Sequence, residues 1–184
     1  MEIFVIEENQ KRLAQAEIKP LASSDLGSCV SCQEEVVSTT PSELFVSSTE
    51  SEIQAYIESG SAIGVFVEGK LCAYGLLELD LTKDHSLKDR LPGLGEALPI
   101  QQIAALDTIA VLPSCRGNKL QIAIANHLLK LAWSQGKKAA YTTVSPKNTP
   151  SVNNLLALGF EIVTVTLLYG GKERYIMRQL LGIS

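Results

Sequence analysis

Apolar and polar positions change their period several times along the chain, and each change marks an element. Ile3 to Ile6 is a short β-rich run with no clear end. From Leu21 to Val37, the residues Leu26, Val30 and Val37 recur near helical spacing behind Ser23 or Ser24 as a cap, and Pro41 marks the break that follows. A second helix is predicted from Glu50 to Ser59, with Ile53 and Ile57 on one face and Gly60 as its stop. Two apolar runs, Ala62 to Val67 and Leu71 to Leu79, flank Glu68-Gly69-Lys70 and read as an antiparallel hairpin.

Asp80 to Pro99 is charged, punctuated by Pro and Gly, and long for a loop; a lid, a binding segment and a plain surface insertion all fit it. Ile103 to Val111 is a strand ended by Pro113. Asn118 to Gln135 carries the longest helical pattern, with Leu120, Ile124, Leu128 and Leu131 on one face and Gly136 beyond it. Lys138 to Ser145 returns to strand, Pro150 to Leu158 is a short helix, and Glu161 to Leu168 with Arg174 to Leu180 form a hairpin across Gly170-Gly171. The order is β, two helices, three strands, helix, strand, helix, two strands, which is a mixed α/β (α+β) arrangement. At 184 residues, with no repeat and no low-complexity linker, the chain is expected to form one domain over 1–184.

Composition narrows the classes. With 46% hydrophobic and 20% charged residues the chain is neither disordered nor built of membrane spans. Its first residues lack the basic and apolar regions of a secretory signal, so a cytoplasmic location is expected. Four cysteines then read as reduced thiols; Cys29 and Cys32, one helical turn apart, fit small buried residues, with a redox or metal role as the alternative. No spacing of Cys72, Cys115, His85 or His127 completes a zinc set, and no metal is expected. His127 reads as packed on its helix and His85 as exposed.

The net charge of −4 is unevenly spread. Residues 1–60 hold eleven acids against Lys11, Arg12 and Lys19, whereas from Ser114 onward nine basic residues face only Glu161 and Glu173. The acidic half suits a cationic substrate and the basic half a polyanionic small ligand, unless both are merely solvated surface. Overall acidity argues against nucleic acid.

The junction Val111-Leu112-Pro113-Ser114-Cys115-Arg116-Gly117-Asn118-Lys119-Leu120-Gln121 leads a strand into the longest helix. A helix start presents unpaired N–H groups and partial positive charge, which suits a pyrophosphate. Gly117 allows close approach of the backbone, Arg116 and Lys119 add charge, and Asn118 is the expected N-cap.

This junction resembles the acetyl-CoA-binding motif of the GNAT superfamily of N-acyltransferases, Gln/Arg-x-x-Gly-x-Gly/Ala after a strand ending in Val-x-Pro. Val111, Pro113, Arg116 and Gly117 agree; Lys119 and Gln121 stand where small residues are usual. Asn148 to Phe160 resembles the family's Asn-x-x-Ala/Ser…Gly-Phe block at the expected spacing. The resemblance implies a GNAT fold, a mostly antiparallel twisted sheet splayed between the strands holding Val111 and Thr143. It implies acetyl-CoA, or another acyl-CoA, as co-substrate. Ile109-Ala110-Val111, the run Arg116-Gly117-Asn118-Lys119-Leu120-Gln121, and Asn148 and Ser151 on the opposite wall would bind it. The Tyr that often follows the motif Asn by seven residues, serving as general acid, is Leu155 here; Tyr169 and Tyr175 are the candidate replacements.

Transfer to an amine also needs a base. Asp107 is the first candidate, on the reading that strand alternation places it with Ile109 and Val111, and Glu78 is the second; either is otherwise an ordinary strand-end carboxylate. The expected reaction is direct acyl transfer from acyl-CoA to a primary amine of a small molecule or peptide, a cationic acceptor being the one that the acidic half suits. A non-catalytic acyl-CoA-binding module is the competing reading. Neither membrane nor nucleic acid is expected as a partner; a homodimer through Leu167, Leu168 and Ile176 is left open.

Overall fold

The computed structural model describes residues 1–7, 10–82 and 98–182. The strands are β1 (Glu2–Glu7), β2 (Gln10–Pro20), β3 (Ala62–Val67), β4 (Lys70–Glu78), β5 (Ile103–Val111), β6 (Ala139–Val144), β7 (Glu161–Leu168) and β8 (Lys172–Leu180). The α-helices are α1 (Leu26–Thr39), α2 (Glu50–Glu58), α3 (Leu120–Ser134) and α4 (Thr149–Ala157). The strands form one sheet in the order β1-β2-β3-β4-β5-β6-β8-β7, antiparallel except for the β5–β6 pair. Most of the predicted loop from Asp80 to Pro99, including His85, lies outside the described residues.

The two faces of the sheet carry different helices. Ile124, Leu128 and Ala132 of α3 and Val152 and Leu155 of α4 pack with Val65, Ala73, Leu77 and Leu106 on one face. Cys29, Cys32 and Val36 of α1 and Ile53 and Ile57 of α2 pack with Phe66, Tyr74, Leu76 and Ala110 on the other. Covered on both sides, β3 and β4 are continuous apolar runs, which is why they read so clearly. The α3 side is tight: a Cβ on Gly75 would lie 2.4 Å from Ile124 Cγ2.

The structure corrects the sequence reading in several places. β2 was not expected, because its inward positions are Ala14 and Ala16 while Leu13 faces solvent, leaving no strong alternation to see. α1 starts at Leu26, after a short 3-10 turn in which the Asp25 carboxylate accepts from the Ala22 N–H at 2.9 Å, so neither Ser23 nor Ser24 caps it. Asn118 is not the N-cap of α3. Lys119 holds that position with φ +56°, and Asn118 instead ties β1 down: the Phe4 N–H donates to its Oδ1 at 2.7 Å, and its Nδ2 donates to the Phe4 and Cys115 carbonyls at 2.6 and 2.8 Å. Ile176 is 1% exposed in the core, so of the three residues put at a dimer edge only Leu167, 67% exposed, stands well out from the sheet.

Candidate active site

β5 and β6 are paired only from Ile103–Leu106 against Ala139–Thr142. The Thr142 hydroxyl donates to the Leu106 carbonyl at 2.9 Å, capping the last rung. Beyond it the strands part, leaving the β6-facing edge of β5 from Asp107 to Val111 with no strand beside it. An opening through the sheet results, reached from both faces.

A bulge in β5 decides what faces the opening. Gly75 pairs with Ile109 but Leu77 pairs with Leu106, so β5 makes three steps where β4 makes two. Simple alternation therefore fails here: Ile109 and Val111 pack toward α3, whereas Asp107 turns to the α1–α2 face. There the Tyr56 hydroxyl of α2 lies beside the Asp107 carboxylate. Burial pushes the Tyr56 hydroxyl pKa well up, and the charges of Asp107, Glu78 and Glu52 push it further, so the phenol keeps its proton. The acids of three elements thus gather around one half-buried hydroxyl.

The loop between α1 and α2 is fixed over this site by a buried network. Gln33 of α1 donates to the Ser48 carbonyl at 2.8 Å and accepts from the Ser48 N–H at 2.9 Å. Tyr74 donates to the same Gln33 oxygen at 3.2 Å, and the Ser48 and Thr108 hydroxyls lie 3.0 Å apart. Every tie reaches across elements, so Ser48 is held against β5.

Two hollows meet at the opening. The smaller, about 140 Å³, is lined on one side by Glu52, Asp107 and Thr108 and on the other by Thr143, Tyr169 and Arg174, with Leu155 among its apolar walls. The larger, about 880 Å³, runs along Val111, Arg116, Gly117, Lys119 and Leu120 to Lys147 and Asn153. Ile109, Gln121, Asn148 and Ser151 border both. Tyr169 sits in the β7–β8 turn at φ +50°, a conformation costly for a bulky residue, and its hydroxyl lies 3.1 Å from Thr143 Oγ1.

Of the residues singled out from the sequence, Ile109, Val111, Arg116, Gly117, Lys119, Leu120, Gln121, Asn148 and Ser151 come together along the larger groove. Ala110 turns its side chain into the α1–α2 core and Asn118 does not line the groove. Asp107 and Tyr169 line the smaller hollow and Glu78 stands near Tyr56. Tyr175 packs against the α3-side core and lines neither.

Local detail shows how the groove is built. The left-handed backbone at Lys119 explains why a glycine is usual there. Arg116 folds back, donating to the Val111 carbonyl at 3.4 Å and to Thr40 Oγ1 at 3.1 Å. Asn148 caps α4 by accepting from the Ser151 N–H at 3.3 Å. Gln121 bridges the walls: its Nε2 donates to Ser151 Oγ at 2.6 Å and its Oε1 accepts from Asn154 Nδ2 at 2.9 Å. A strand edge without a neighbour, a helix start and three exposed cations, Arg116, Lys119 and Lys147, fit an extended ligand with a phosphate end.

Sequence reasoning missed Tyr56, Arg174, Thr143 and the Gln33–Ser48 network. Tyr56 stands one turn after Glu52 on the same helix, a usable signal; Arg174 shares a strand face with the apolar Ile176, another. The cysteines are no thiolate site. Burial above all pushes the Cys29 and Cys32 thiols up to about 12, so they stay protonated at neutral pH.

This architecture defines a class. The model of the acetyltransferase (GNAT) family matches residues 31–160, and the chain belongs to that family. Among solved structures it is similar to yncA of Salmonella typhimurium, described with its cofactor acetyl-CoA, at 14% identity and TM-score 0.71 over 93% of this chain and 96% of that one. It is also similar to a GNAT-family acetyltransferase of Streptococcus pneumoniae, at 16% identity and TM-score 0.69 over 91% and 100% of the two chains. A third is the ribosomal-protein-S18-alanine N-acetyltransferase of Escherichia coli, at 17% identity and TM-score 0.65 over 92% and 96%. No curated protein sequence matches. Among the described residues, no helix is long and apolar enough to cross a membrane.

Proposed function

We propose that this acetyltransferase-family chain transfers an acetyl or related acyl group from acyl-CoA directly to a primary amine. The observation that carries the reading is the opening beyond Leu106 and Thr142, where the groove bearing the motif residues meets a hollow lined by Asp107. In the groove, the edge of β5 offers backbone groups to an extended pantetheine arm, and the start of α3 with Arg116, Lys119 and Lys147 offers positive charge to phosphates.

In the hollow, Glu52 and Asp107 attract an ammonium group, and Asp107, with the Tyr56 hydroxyl beside it, takes its proton. The amine nitrogen then bonds to the thioester carbonyl carbon to form a tetrahedral intermediate; its collapse breaks the carbon–sulfur bond, and nitrogen gives its second proton to water, which restores the one passed to sulfur. N–H groups near Val111 steady the carbonyl oxygen, and Tyr169 lies on the far wall as proton donor to the departing sulfur. Leu155, 3% exposed, supplies an apolar wall where the family often has its acid.

Thiol release from acetyl-CoA with a broad amine panel tests this. Turnover is expected with at least one amine, falling about a hundredfold or more in kcat in Asp107→Asn while CoA affinity by calorimetry is unchanged. CoA binding without thiol release for any amine would refute the enzymatic reading and leave a binding module.

A further inference from the structure

Arg174 is the outlier of the smaller hollow. Its side chain lies on the β8 face that also carries Ile176, it is 3% exposed, and it lines the cavity opposite Asp107. Its Nη1 donates to the Glu173 carbonyl at 2.8 Å, and its guanidinium lies 5.7 Å from the centre of the Tyr169 ring. Its Nη2 is buried with no hydrogen-bond partner. Among the described residues no carboxylate forms an ion pair with it; the pairs present use Arg12, Lys19, Lys147 and Arg178. A buried cation left unpaired is unfavourable unless something supplies the missing anion.

Surface basic residues need no such partner, and this one is not at the surface. Guanidinium presents a planar fork of donors matched to a carboxylate. Across the hollow stand the opposite charges, Asp107 and Glu52, suited to an ammonium. One small cavity thus has an acidic wall beside the opening and a single buried cation on the far side. A simple amine satisfies the first and leaves the second as it is. A molecule bearing both an amine and a carboxylate satisfies both, with the amine directed to the opening.

We propose that Arg174 is the carboxylate-recognition residue of the acceptor pocket, and that the acceptor is a small amino acid or amino-acid-like molecule whose amine is acylated. This rests on the acyltransferase reading and narrows its substrate class. Tyr169 then has a positioning part: its ring stacks beside the guanidinium while its hydroxyl is held at Thr143.

The experiment uses the full chain with the common L-amino acids and, in parallel, their carboxamides as acceptors. Wild-type protein with acetyl-CoA is expected to acylate at least one amino acid with a KM about ten- to a hundredfold below that of its amide, the range for a hydrogen bond to a charged group. Arg174→Gln should remove that difference by raising the KM of the acid relative to that of its amide; Arg174→Lys should restore part of it. Equal use of acids and amides by wild type, which needs no variant to fold, would overturn the proposal. So would a parallel loss for both series in Arg174→Gln. A second arm compares succinyl-CoA with acetyl-CoA on the amides; a succinyl preference abolished by Arg174→Gln would assign the carboxylate to the acyl group and overturn the acceptor claim. If no amine of either series is turned over while the broad amine panel releases thiol, the acceptor claim is overturned; if the broad panel fails as well, the acyltransferase reading fails. Calorimetry of the CoA-loaded protein with the same acids and amides then decides on Arg174 separately: selective binding of acids supports it and equal or no binding rejects it.

Discussion

Replacing Gln121 by Ala should lower the stability of the protein while tightening its hold on CoA. The amide spans the groove, making two hydrogen bonds, at 2.6 Å to Ser151 and 2.9 Å from Asn154, and it borders both hollows where they join. A ligand passing along the β5 edge has to displace this bridge. Two neutral hydrogen bonds at about 1 kcal/mol each give about 2 kcal/mol that binding must first overcome. Gln121→Ala removes that cost, for an affinity gain of up to about thirtyfold. The free protein loses the same two ties, but Ser151 and Asn154 are only half-buried and can turn to water, so its stability should fall by about 1 kcal/mol. Calorimetric titration with CoA at fixed salt and urea unfolding without ligand measure the two effects. Opposite signs are the signature. Weaker or unchanged CoA binding in a variant that folds would show that the bridge is part of the ligand's seat rather than a bar across it, and would refute the reasoning.

Two further outcomes test the packing. Gly75→Ala places a Cβ 2.4 Å from Ile124 Cγ2 and 3.1 Å from Leu128 Cδ1, in a core where neither neighbour has room, so stability should drop by about 1–3 kcal/mol; an unchanged Tm would contradict the close approach of α3 to β4. The Cys29 and Cys32 thiols, ordinarily near 9.0, are pushed up to about 12 in the folded chain, so the unfolded chain ionises first. Their contribution is fully present below pH 9 and is lost as pH rises toward 12, each thiol adding a downward slope of about 1.4 kcal/mol per pH unit. Urea midpoints from pH 8 to 11 should fall more gently in the Cys29→Ala/Cys32→Ala variant, and an equal slope would refute the assignment.

Read alone, the sequence determined the element types along most of its length, the alternation of helices and strands, and the segments that resemble a family of acyltransferases. These are local signals. β3 and β4 announce themselves as apolar runs because both faces are covered, α3 through the spacing of Leu120, Ile124 and Leu128, and its approach through Pro113 to Gly117. The tertiary structure alone decided what those segments face. A bulge that shifts β5 by one residue moved Asp107 off the face of Ile109 and onto that of Tyr56, and no period-two count foresees a bulge set by pairing with β4. β2 was invisible because alanines suffice where a neighbouring strand lies close. Glu52 and Arg174 are 122 positions apart in sequence, and only the sheet order, with β8 beside β6 and α2 over β4, puts them around one hollow. Long-range pairing fixes which charge meets which, and the chemistry of this site lies in those meetings.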